Sequence, residues 1–301
     1  MGVALQSGDE GLGNSGGITV ERSGALVFIT LRHPSKRNAM SRAMWVQLRS
    51  LFDSDLSPYD ADIDQKSLKS AGARAIVIRG GACADGSTHF CAGGDISEYP
   101  SFRFNEDKLR YFHEEEVAPA LEAMLACNVP LIAQIDGFCM GGGLQIAACC
   151  DIRVAGQGAV FGAPIAKLGF PMAPREAAIV ARAVGDATAR QMLLAAQSFN
   201  AAQMQQRGFL SEVVADTQVA SQALAIAQNI AQLSAEAAAL NKQTFRALLS
   251  ENTANVSVQS SKLANESIAQ ASVANPYAYA AAPHHIEGIS AFLEKRTPIF
   301  K

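Results

Sequence analysis

The chain has 301 residues, 49% of them hydrophobic and 18% charged, with a formal net charge of -3. That composition suits a globular protein with a sizeable core, and its slightly acidic balance provides no general basic field to hold nucleic acid. No apolar run approaches the roughly 20 residues that a membrane span requires.

The N-terminus, MGVALQSGDEGLGNSGG, carries Asp9 and Glu10 and has no basic residue before Arg22. It therefore fits neither a secretory signal nor an Arg-rich transit peptide, and a cytoplasmic location is expected. Gly11 to Gly16 (GLGNSG) satisfies G-x-G-x-x-G, but a polar tail precedes it and a β-branched run (Ile18, Thr19, Val20) follows. The dinucleotide fingerprint needs the opposite context, a strand before and a helix after, so residues 1–17 read as a flexible tail. The residues at 26–31 are apolar and predict a strand. Ser41 then reads as the N-cap of a helix through MWVQLRSLF. Residues 53–73 are polar, carry Pro58, and predict a loop or extension. RAIVIRGG (74–81) reads as a buried strand ended by glycines, and FCAGGDI (90–96) as a short strand and turn. Residues 106–127 predict a helix, VPLIAQIDG (129–137) a strand, FCMGGG a glycine turn, LQIAACC a small-residue helix, and DIRVAG the start of another strand.

Alternating strands and helices of this kind define an α/β class. Beyond Arg175 the chain turns rich in Ala, Gln and Leu, with helices expected at 175–184, 187–196, 217–249, 257–272 and 286–294. Breaks fall near 208–214 and 274–279. This divides the chain into a tail (1–17), an α/β core (18–214) and a helical C-terminal region (215–301). The six cysteines (Cys83, Cys91, Cys127, Cys139, Cys149, Cys150) form no C-x-x-C pair. They read as small apolar residues in a reduced compartment.

Two glycine clusters carry the chemistry. Gly141-Gly142-Gly143 stands between a strand and a helix, where unpaired backbone N–H groups and the helix dipole favour an anion. FCAGGDI offers a second set of N–H groups, followed by an acid. Either cluster alone also reads as a tight structural turn.

Their order along the chain resembles the enoyl-CoA hydratase/isomerase (crotonase) superfamily. LRHPSKRNAMS resembles its N-terminal loop, FCAGGDI its first oxyanion loop, and IDGFCMGGG with CDIRVAG its second. LGFPMAPREAAIVARAVG (168–185) resembles its next loop and helix, and HHIEGISAFLEKRTPIF (284–300) its C-terminus. The resemblance runs from about Ile18 to Phe300. It implies a spiral core of repeated strand–strand–helix units with two sheets, a helical C-terminal region, and a homotrimer or dimer of trimers. It also implies an acyl-CoA thioester as substrate, with no cofactor or metal beyond the CoA moiety; one branch of the family binds RNA, but the acidic balance speaks against a nucleic-acid partner here, as the lack of a long apolar run does against a membrane. The thioester oxygen would lie between the N–H groups of Gly94 and Gly142, where a developing enolate is stabilised. Lys36 and Arg37 match positions near the CoA phosphates. Ala92, Asp95 and Ile96 match the loop along pantetheine and adenine, and Phe292 and Lys295 match the C-terminal helix that reaches CoA.

The chain departs from that family at the acid/base positions. One customary glutamate position holds Gln145, another holds Ile165, and a position where some members have aspartate holds Ala173. An amide cannot shuttle protons near neutral pH. Candidate replacements are Glu176, Glu98 and Glu114 to Glu116. Tyr99, Phe102, Phe104 and Tyr111 are expected to border the acyl pocket. His33, His89, His113, the pair His284-His285 and Asp151 give no distinct site. Three readings follow: hydration or isomerisation of an enoyl-CoA, decarboxylation or other enolate chemistry, and CoA-ester binding without turnover.

Overall fold

The computed structural model describes residues 16–53, 72–257 and 278–300. The N-terminal tail up to Ser15, residues 54–71 and the helix expected at 257–272 beyond its first residue lie outside the described residues.

Strand β1 (Gly17–Ser23) forms an antiparallel hairpin with β2 (Leu26–Arg32). From β2 onward one unit repeats: a strand in a large sheet, an extended segment in a second layer, then a helix. In the first turn the unit is β2, Met40 and helix α1 (Arg42–Phe52). In the second it is β3 (Ala75–Gly80), Cys91, and a helical run made of α2 (Glu106–Tyr111), a π-helical turn (Phe112–Val117) and α3 (Ala118–Ala126). The third comprises β4 (Leu131–Ile135), β5 (Phe138–Met140) and α4 (Gly142–Ala148). The fourth comprises β6 (Ile152–Gly156), β7 (Val160–Gly162), α5 (Pro174–Val184) and α6 (Asp186–Leu194). Then follow β8 (Ser198–Asn200), α7 (Ala201–Gln206), β9 (Glu212–Val214), α8 (Val219–Ala231), α9 (Ala235–Ser257) and α10 (Pro283–Leu293).

The large sheet has the order β1-β2-β3-β4-β6-β9 and is parallel from β2 onward. The second layer is a smaller sheet, β5-β7-β8, joined by the single parallel bridges Met40 to Gly94 and Cys91 to Cys139. The FCAGGDI segment, expected to hold a short strand, contributes only the isolated bridges of Cys91 and Gly94. The glycines after Cys91 turn the chain before a ladder can extend. Conversely, FCM, expected to be part of a turn, is strand β5. The period of 2 explains how the large sheet is covered. Val27, Ile29, Ile76 and Ile78 face the main core with Met44, Leu48 and Leu121. The alternate residues Leu26, Ala75 and Val77 face the other way and pack on Ala223 and Ala227 of α8. Ser41 caps α1 as expected, its side chain accepting from the Met44 N–H at 3.3 Å. The helix expected at 217–249 is two helices, α8 and α9, and the break at 208–214 contains β9. No helix among the described residues is long and apolar enough to cross a membrane.

Candidate active site

The spiral lays the two glycine segments side by side. The Cys91 N–H donates to the Phe138 carbonyl at 2.9 Å, and the Met140 N–H donates to the Cys91 carbonyl at 2.9 Å. Gly141 then turns the chain with φ 46° and ψ −112°, a left-handed conformation that favours glycine. A Cβ on Gly143 would stand 2.6 Å from the Cys91 carbonyl oxygen, so only glycine allows the two backbones this approach. Two N–H groups remain at the junction. Neither the Gly94 N–H nor the Gly142 N–H has a hydrogen-bond acceptor among the described residues. Gly142 opens α4, where an intrahelical acceptor does not exist. Both glycines line a cavity of about 360 Å³.

The same cavity is lined by the first turn of α5, the π-helical turn and the segment before α5, including Glu176, His113, Ile165 and Phe170. Glu176 is only 3% exposed. Pro174 starts its helix, and a carboxylate in that first turn is favoured by the helix dipole. One carboxylate oxygen of Glu176 accepts from Gln145 Nε2 at 2.9 Å. The other is 2.6 Å from His113 Nδ1, which carries the hydrogen when Glu176 is ionised. Gln145 and Glu176, both named from the sequence, therefore form one buried network with His113, and all three line the cavity. His113 was missed because its helix looked regular. The π turn sets His113 and Val117 toward the cavity and leaves the neighbouring glutamates elsewhere.

That placement corrects several expectations. Glu114 pairs with Arg175 at 2.6 Å, Glu115 accepts from Arg49 through its carbonyl, and Glu116 pairs with Arg42, so none of the three lines the cavity. Glu98 accepts from the Arg42 N–H at 2.8 Å and serves the start of α1. Of the aromatic set, Tyr99 lines the cavity, with its phenol pushed above its usual range by burial. Phe102 is buried against Phe112, while Phe104 and Tyr111 are exposed. They sit on the outer face of the segment. Asp151 is structural, accepting from the Leu131 N–H and pairing with Lys242. His33 and His89 hold loop backbone, the latter accepting from the Phe138 N–H.

The residues matched to CoA lie near the cavity mouth or apart from it. Ala92 and the exposed Ile96 line the cavity. Lys36 donates to both oxygens of Asp95 at 2.7 Å and to the Ser97 hydroxyl. Burial pushes the Asp95 carboxyl up, but Lys36 and Ser97 outweigh it and leave it below the usual carboxylate range. Arg37 is exposed, over the Phe138 ring. Phe292 is 81% exposed on α10, and neither it nor Lys295 reaches the cavity within one chain. All six cysteines are buried.

A spiral of strand–strand–helix turns enclosing a cavity between two glycine turns defines a crotonase-fold enzyme. The enoyl-CoA hydratase/isomerase family model matches residues 21–301. The chain is 32% identical over 286 residues to a 2,3-dehydroadipyl-CoA hydratase of Escherichia coli, covering 94% of this chain and 98% of that one. It is 28% identical over 278 residues to a mevalonyl-coenzyme A hydratase of Aspergillus fumigatus, covering 91% and 90%. Among solved structures it matches an enoyl-CoA hydratase/carnithine racemase from Magnetospirillum magneticum at TM-score 0.77 and 29% identity, covering 94% of this chain and 95% of the other. The chain belongs to the enoyl-CoA hydratase/isomerase family.

Proposed function

We propose that the protein hydrates a 2-enoyl-CoA thioester, using Glu176 as a single acid/base and the N–H groups of Gly94 and Gly142 as the oxyanion hole. The observation that carries this reading is the Glu176 carboxylate, buried in the same cavity as both glycines and hydrogen-bonded to Gln145. The customary acid/base positions have lost their carboxylates, yet a carboxylate has been supplied from the next helix. Relatives named as hydratases support the choice of hydration.

In this mechanism Glu176 takes a proton from water as the water oxygen bonds to C3. The C2–C3 π electrons move onto the thioester carbonyl, and the resulting enolate oxygen is held by the two N–H groups. Glu176 then returns the proton to C2 and the carbonyl reforms, so one water is added and the carboxylate is regenerated. Gln145 and His113 orient Glu176 and do not exchange protons with substrate. The CoA moiety enters past Ala92 and Ile96.

Glu176→Gln keeps the size and removes the base. Loss of the conjugated enoyl-thioester absorbance should slow by roughly 100- to 10,000-fold, the range for a positioned general acid/base. Turnover within about threefold of the natural protein would contradict this role for Glu176, whereas no loss of absorbance in the natural protein would return the search to decarboxylation, in which loss of carbon dioxide generates the enolate without a base.

A further inference from the structure

Two cations line the cavity, and Arg103 is the part-buried one, Lys167 being exposed. Its guanidinium carbon stands 3.5 Å from the centroid of the Phe170 ring and 4.6 Å from that of Tyr99. All three residues line the cavity. Arg103 Nε is buried and, alone among buried side-chain nitrogens and oxygens of the described residues, has no hydrogen-bond partner. Arg103 has no ion pair among those residues either, although the charge of Glu176 is near enough to act on it, and the acids elsewhere around the helical segment have their own partners. Glu176 is occupied by His113 and Gln145, Asp95 by Lys36, Glu116 by Arg42, and Glu114 and Glu122 by Arg175. Burial lowers the Arg103 pKa, but a guanidinium remains protonated at neutral pH. Stacking on ring faces stabilises such a charge and holds its plane, but it satisfies none of the in-plane N–H donors.

A charged fork with a buried, unpaired donor at the wall of a substrate cavity is suited to a planar anion, which it grips through parallel N–H···O bonds. We propose that Arg103 is a specificity-determining residue that binds a carboxylate carried by the acyl group, so that the preferred substrates are mono-CoA thioesters of unsaturated dicarboxylic acids. This rests on the hydratase reading above for the reaction, but its binding content is independent of turnover. A neutral acyl chain would leave Arg103 with no acceptor in place of the water it displaces, which disfavours that chain.

The test compares a graded series of 2-enoyl-CoA thioesters ending in a carboxylate with a matched series ending in methyl. The natural protein should favour the carboxylated member of the best-fitting length by on the order of 100-fold in kcat/KM, the scale of a desolvated charge-assisted pair. In Arg103→Gln that ratio should collapse toward one. Arg103→Lys, which keeps the charge but loses the fork, should retain an intermediate preference. Circular dichroism and a thermal melt check that both variants fold. No preference in the natural protein, or a ratio unchanged in Arg103→Gln, would overturn the proposal. If neither series is turned over, calorimetric binding of the saturated thioesters decides. A Kd advantage for the carboxylated ligand that Arg103→Gln removes would uphold the proposal while the hydratase reading falls. Equal Kd values would overturn the proposal as well.

Discussion

Replacing Gly142 separates the proposed oxyanion donor from everything else the glycine does. Gly142 is the first residue of α4 and does not have a positive φ, and proline is accepted at that helical position because its missing N–H has no intrahelical role. Gly142→Pro therefore deletes the proposed donor without breaking the helix. It also adds a Cβ, which would stand 3.0 Å from Cζ2 of the buried Trp45, a crowding that costs about 1–3 kcal/mol of stability. Gly142→Ala adds the same Cβ and keeps the N–H, so the ratio between the two variants reports the donor. Losing one oxyanion donor is worth about 2.7–4 kcal/mol in the transition state, or roughly 100- to 1000-fold in kcat. The assay is the initial rate of enoyl-thioester loss for both variants, with thermal melts showing matched stability. Alanine should lose modestly, and proline should lose a further 100-fold or more. A proline-to-alanine ratio within about threefold, with both proteins folded, would refute the assignment of Gly142 as a donor to the reacting oxygen.

The Asp95 carboxyl should rise when its cation is removed. Its depressed pKa means that it contributes stability above the unfolded aspartate value, lost as pH falls through the lower folded value. Lys36→Met should raise the carbon-13 carboxyl titration midpoint of Asp95 and weaken the protein at neutral pH by roughly 1–2 kcal/mol, a figure discounted because Lys36 is 36% exposed. An unmoved midpoint would show that Ser97 and the backbone hold the carboxylate without Lys36. The cysteines should be inert in the native state, since burial pushes the Cys91 and Cys150 thiols up to about 12 and all six are enclosed. A chromogenic disulfide reagent should count none in native protein and six after denaturation. Rapid native labelling would contradict the packing around the second layer.

The elements with strong local signals were readable from the chain. Strand β3 shows as a continuous apolar run, α1 shows through its Ser41 cap, and the glycine turns mark where strands stop. What could not be read was which segments share a layer. Cys91 is one extended residue, too short for any periodicity, yet its bridge to Cys139 fixes the spacing of the two N–H groups. The short strands β5, β7 and β8 exist because they pair with one another, and three residues carry no alternation that a local reading could detect.

The acid/base group shows the same division more sharply. Glu98, Glu114, Glu115, Glu116 and Glu176 looked alike as acids near the glycine turns, and what separates them is the cation or backbone group each faces. Arg175 takes Glu114, Arg42 takes Glu116 and donates its backbone N–H to Glu98, and Arg49 meets the main-chain carbonyl of Glu115. Glu176 alone of the five lines the cavity, where an amide and an imidazole hold it. A general acid/base must first reach the reacting atoms, and of these five carboxylates only Glu176 shares the cavity with Gly94 and Gly142. Glutamine at position 145 is then consistent with the proposed activity. A second carboxylate 2.9 Å from Glu176 would repel it, while the amide donates to it.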